Sequence, residues 1–234
     1  MSKHVDFILT SIEYLMEDAV NASRGISRGI CSFAVSDYIF QSLFLKMTGF
    51  SEQKAKCICW DLATEDYEFR YEYLKSLPHY GEMSSITSRN NVFKNIIEIQ
   101  QKINPDFSAE QIIDKDNLLN EVKTTMIDLF SESLLIHSNH RHYMDFLDGY
   151  DKIFKPEYFV TRTNILEGKL SEAYIALYDH RNRCAHNLIS YQQNLPTLKK
   201  LADDKYQYEN YYVRYALLLL MDKIFINLFK ATID

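Results

Sequence analysis

Helix breakers are scarce in this chain: 4 prolines and 6 glycines are spread over 234 residues. Proline and glycine are the residues a helix interior tolerates least. Their scarcity, with abundant Leu, Ile, Glu and Lys, predicts long helices. Pro78, Pro105, Pro156 and Pro196 all lie beside turn-like or polar stretches, never inside a periodic run. The expected fold class is all-α, a helical bundle of about eight helices. With 47% hydrophobic residues, the chain can fill one large core. A single domain over 1–234 is expected, and residues 76–91, "SLPHYGEMSSITSRNN", are the only plausible internal boundary.

Apolar spacing gives the helices in order. Helical pattern runs from Val5 to Ser23 and again from Ile26 to Met47, where Gly49 is expected to stop it. Ser51 then looks like an N-cap for "EQKAKCICWDLATEDYEF", with the helix continuing through Tyr67, Tyr71 and Leu74. Another helix is expected near Val92–Ile103. Ser108 and Gln111 read as a capping box opening a long helix through Leu135. Three more are expected over Tyr143–Phe154, from Gly168 toward Arg181, and from Tyr208 to Ala231. The last is apolar nearly all round; its clearest polar stripe is Lys223, Asn227 and Lys230. So narrow a wet face predicts a helix central to a bundle or buried against a partner.

The formal net charge is −6, so any contact with nucleic acid needs a local basic patch. The opening "MSKHVDFILTS" has neither a long apolar stretch nor a small-residue cleavage site and does not read as a signal peptide. The longest apolar run, Tyr215–Met221, is far too short to span a bilayer, so no membrane partner is expected. Cys31, Cys57, Cys59 and Cys184 form no CxxC pair and no zinc spacing, as expected for reduced thiols in a cytoplasmic protein.

The stretch that bears on function is "YDHRNRCAHNLISYQQN", Tyr178 to Asn194, which begins by packing two arginines and two histidines into residues 180–186. The helix leading into it has a buried face of Leu166, Leu170, Ala173, Tyr174 and Leu177. Arg181 is the next position on that stripe. An arginine there either caps the end of the bundle or points into a cleft between elements. His186 lies five residues further on, about 140° around an unbroken helix. The two groups converge only if the helix ends between them, or if a second copy of the chain supplies the partner group.

Arg181-Asn182-x-x-x-His186 resembles the signature of the HEPN superfamily: an arginine, a polar residue that is often asparagine, and a histidine after a short gap. An Arg-to-His gap of that size arises by chance about 0.8 times in such a chain, and requiring the asparagine lowers this to roughly 0.05. The wider "RNRCAHN" is similar to HEPN proteins of abortive-infection and toxin–antitoxin systems. The resemblance covers about Gly168 to Ala231 within a motif-bearing half that starts near residue 108. It implies a HEPN-like all-α core and a dimeric, metal-independent endoribonuclease without a cofactor, serving as a bacterial toxin or anti-phage effector. The implied partners are RNA, a second copy of the chain, and a cognate antitoxin (protein or RNA) or a larger defence complex. Members paired with a nucleotidyltransferase antitoxin often carry a tyrosine two residues after the histidine. This chain has Leu188 there, and its nearest tyrosine is Tyr191. The resemblance does not extend to that mode of control.

The chemistry is coherent on its own terms. RNA carries its own nucleophile, the 2′-OH, so cleavage needs only proton transfer and charge stabilisation. Imidazole titrates near neutrality, which suits His186 to take or give the proton. Arg181 keeps its charge and presents a planar fork to phosphorane oxygens. Asn182, which both donates and accepts, suits holding the histidine tautomer or a phosphate oxygen. His180, Arg183, Asn187, Lys199 and Lys200 flank the motif and are candidate backbone contacts. One histidine cannot be acid and base at once in a concerted step, which two chains at a two-fold axis resolve. The alternative is a non-catalytic HEPN-like module that binds RNA, a nucleotide or a protein.

Other clusters read more simply. Arg24 and Arg28, each before a glycine, fit a helix end. His137, His140 and His142 have no carboxylate or cysteine at a matching offset and fit a turn between helices, so no metal is expected. The aromatics of Tyr67–Tyr80 fit core packing or an interface better than base stacking.

Overall fold

The computed structural model describes residues 3–25, 32–75, 83–186 and 204–233. Among them the chain forms ten α-helices and no strand, so the fold is all-α. The helices are α1 (Lys3–Leu9), α2 (Glu13–Ser23), α3 (Ser32–Glu65), α4 (Tyr67–Lys75), α5 (Ile86–Ile103), α6 (Ala109–Ile112), α7 (Lys115–Phe130), α8 (Leu135–Ile153), α9 (Gly168–His186) and α10 (Tyr211–Ile233). Short 3-10 turns at Pro156–Tyr158 and Asp204–Glu209 precede α9 and α10.

The apolar α10 is the axis of the bundle. Every side chain from Tyr212 to Phe229 is buried except Lys223 and Asn227. It packs against α1, α3, α5, α7, α8 and α9 of the same chain. The polar stripe seen in the sequence is therefore its one open edge, and its apolar faces are covered from within. Tyr215 donates its hydroxyl to the Phe40 carbonyl at 2.7 Å and stacks on the Phe40 ring, joining α10 to α3.

Several boundaries differ from those read in the sequence. The helix expected to continue through Tyr67 breaks after Glu65, where Asp66 accepts from the Phe69 N–H and starts α4. Helix α5 begins at Ile86, capped by Ser85 inside the stretch read as a loop. Gly49 does not end a helix: α3 runs through it for 34 residues. Phe40, Phe44, Met47, Ser51, Lys54 and Ile58 keep one helical phase across the glycine, and burying that stripe outweighs the cost of one glycine. Ser51 is accordingly a buried mid-helix residue and not a cap.

The stretch from Val5 to Ser23 is two helices, broken at Thr10–Ile12. Lys54 of α3 donates to the Thr10 carbonyl at 2.7 Å, and Asp222 of α10 accepts from the Ile12 N–H at 2.9 Å. Lys54 and Asp222 also pair with each other, so a buried ion pair satisfies the backbone groups freed by the break. Burial pushes the Asp222 carboxyl above its ordinary value and the Lys54 ammonium below its own, with the pairing opposing both shifts.

Ser108 makes no side-chain cap, and α6 is a single turn. The cap belongs to Asp114, which accepts from the Asn117 N–H at 3.0 Å and starts α7. The histidine-rich stretch lies inside α8, kinked where Asn139 leaves helical geometry at φ −132° and ψ 31°.

One contiguous cluster of buried side chains extends from Val5 to Phe229. Buried Arg89 of α5 donates to the Ser51 carbonyl at 2.7 Å and to the Tyr174 hydroxyl at 3.2 Å, tying α5 to α3 and α9. Among the described residues no helix is long and apolar enough to cross a membrane.

Candidate functional site

The motif lies on α9. Gly168 opens this helix with φ +51°, a conformation that costs L side chains strain, and the Tyr158 ring leaves no room there for a Cβ. From that start Leu170, Ala173, Tyr174 and Leu177 are buried in the core, as their spacing predicts. Arg181 follows on the same stripe with its side chain 30% exposed, lining a cavity of about 10 Å³ beside Thr48, Ser84 and Tyr178. The helix does not end between Arg181 and His186, because α9 runs to His186. Positions 182 and 186 share a face, one turn apart, while 181 and 186 diverge by about 140°.

Arg181 is held at both ends of its fork. Its Nη2 faces the Glu52 carboxylate of α3 at 3.4 Å, and its Nη1 donates to the Asn182 side-chain oxygen at 3.2 Å. Asn182 thus touches the motif arginine directly.

His180 and Arg183 face α10 and the turn before it. The His180 ring lies 5.2 Å from Phe44, and its Nε2 meets the Tyr211 hydroxyl at 3.0 Å. Arg183 reaches the His180 Nδ1 at 3.5 Å and the Glu209 carboxylate at 3.4 Å. An arginine can only donate, so in this contact Nδ1 is the acceptor. Glu209 also pairs with Arg214, whose side chain is only 2% exposed. These contacts clamp the end of α9 to α10. Asn187, Lys199 and Lys200 lie outside the described residues, as do Arg28 and Tyr191.

Cys184 sits 3.4 Å from the His180 Nε2, but burial pushes its thiol up. The Arg214 and Arg183 guanidinium groups oppose that shift. Burial likewise pushes the Tyr211 phenol well above its ordinary value and keeps its proton available for hydrogen bonding. Among the described residues no three His, Cys, Asp or Glu side chains are grouped as a metal site.

The sequence reading missed Glu52, Glu209, Tyr211 and Arg214. Arg214 alone left a signal, a charge inside the apolar run "YYVRYALLLLM" that demands a partner once buried. Glu52 left none, since the chain separates it from Arg181 by 129 positions. The chain matches no protein-family model, no curated protein and no solved structure.

Proposed function

We propose that this protein is a metal-independent endoribonuclease of HEPN type that works as a two-fold dimer. The observation that carries the reading is α9 itself. It sets Arg181 at the open end of a buried stripe, bonded to Asn182, and continues unbroken to His186. In the proposed reaction the 2′-oxygen attacks the adjacent phosphorus and its proton passes to one His186 imidazole. The bond from phosphorus to O5′ breaks, and O5′ takes a proton from the second chain's imidazolium. Arg181 meets the charge that builds on the phosphorane, and Asn182 steadies its guanidinium. A toxin or anti-phage role, restrained by an antitoxin, follows from the family resemblance alone.

His186→Ala and Arg181→Ala are each expected to abolish RNA cleavage, because groups acting as one unit lose nearly everything singly. Both variants should keep the helical circular dichroism of the parent. Cleavage that persists in His186→Ala, or that a chelator removes, contradicts the proposal.

One observation favours a second reading. Arg181 and Arg183 both face carboxylates, which lowers the positive charge on offer to RNA. A non-catalytic module would bind an RNA oligonucleotide and return it intact.

A further inference from the structure

The acceptors on Arg181 are not equivalent. Asn182 is its neighbour on the same helix, but Glu52 comes from the middle of α3, the longest helix of the protein, and its side chain is only 14% exposed. The two carboxylate oxygens of Glu52 are divided. Oε1 faces Lys56 one turn further along α3 at 2.9 Å, and Oε2 faces Arg181 at 3.4 Å. Next to it, the buried Ser51 gives its carbonyl to Arg89, so this part of α3 is fixed to α5 as well. A carboxylate anchored in this way can do two things to a guanidinium. It can fix the plane of the fork before substrate arrives, sparing the rotamer freedom that a long side chain otherwise loses on binding. It also cancels part of the charge that a phosphate would meet.

We propose that Glu52 is the positioning residue of Arg181: it orients the fork for the reaction and masks the charge of the fork in the resting protein. This rests on the ribonuclease reading of Arg181. The two effects oppose each other in a measurable way. Losing the orientation slows the chemical step, whereas losing the mask strengthens RNA binding.

Glu52→Gln separates them, because it keeps the shape and an acceptor oxygen and removes only the charge. Binding is read with a single-stranded 2′-O-methyl RNA oligonucleotide, which cannot be cleaved, across a salt series. Glu52→Gln is expected to bind it more tightly at low salt, with a slope of log affinity against log salt steeper by about 0.7, the increment for one more phosphate contact on a single strand. On cleavable RNA the same variant is expected to show kcat lower on the order of tenfold with an unchanged or lower KM. In an Arg181→Ala background, Glu52→Gln should steepen the salt slope less than it does in the parent, because only Lys56, the other cation on Glu52, is then left to unmask. Equal steepening in both backgrounds would show that Arg181 is not the masked charge. A role in stability alone would move the melting temperature and neither the slope nor the kcat–KM split.

The outcomes are distinct. If the parent cleaves RNA and Glu52→Gln changes neither slope nor kcat, the inference falls and the ribonuclease reading stands. If the parent does not cleave, the ribonuclease reading falls. The salt slopes of the single and double variants then still decide whether Glu52 masks Arg181.

Discussion

Arg214 is a charged side chain almost wholly removed from water. It lies on α10 with 2% of its side chain exposed, its guanidinium over the Phe44 and Tyr211 rings, and Glu209 is the carboxylate that neutralises it. Among the described residues its Nε has no hydrogen-bond partner. Removing the carboxylate would strand a buried cation, whereas removing the cation would leave Glu209 half-open to solvent and still beside Arg183. Glu209→Gln should therefore destabilise by about 3 kcal/mol or more, and Arg214→Met should cost clearly less. Urea denaturation of the two variants checks the order; equal losses would mean that the pair is not electrostatically stressed. The same contacts explain what the sequence left hidden at this scale. "RNRCAH" shows its own chemistry because the residues are adjacent, but their neutralising partners come from α3 and from the turn before α10. No local pattern marks a carboxylate as the partner of a distant arginine.

At the scale of elements, periodic signals were legible and tertiary ones were not. The stripe from Leu170 to Arg181 and the polar edge of α10 were both visible as spacing, and both are found in the fold. The split between α1 and α2 was invisible because Lys54 and Asp222 make it tolerable, and these come from α3 and α10. Gly49 taken alone is a stop signal, but the apolar phase of α3 runs straight past it. Among the described residues a Cβ at Gly49 would meet nothing within 4 Å, so Gly49→Ala should stabilise the protein by about 0.5–1 kcal/mol through helix propensity and a less free unfolded chain. Gly168 is the opposite case. A Cβ there would come within 2.7 Å of the Tyr158 ring, at φ +51°. Gly168→Ala should cost about 1–3 kcal/mol and loosen the start of the motif helix. Chemical denaturation of both variants tests the pair. A destabilising Gly49→Ala would show that α3 needs a flexible point at its centre.

For the whole molecule, the question is whether one chain is enough. The apolar surface of α10 does not call for a partner, since the bundle itself covers it. Under the proposed reaction, what calls for one is α9: an unbroken helix holds positions 181 and 186 about 140° apart, and each chain would bring a single motif histidine to a step that needs both an acid and a base. Two-fold symmetry, the commonest arrangement of homo-oligomers, supplies both and doubles the local positive charge. Sedimentation at working concentration should therefore show a dimer. A monomer that cleaves RNA at full rate would remove the second chain from the mechanism. Beneath this lies the claim that the RNA 2′-OH is the nucleophile and no metal takes part. It is tested most directly on an oligonucleotide with a single ribose in an otherwise deoxy strand, incubated with excess chelator and analysed by mass at the new ends. A cut is expected only at the ribose, leaving a 2′,3′-cyclic phosphate and a 5′-hydroxyl. A cut at a deoxy position, or a product with a 3′-hydroxyl, would contradict it.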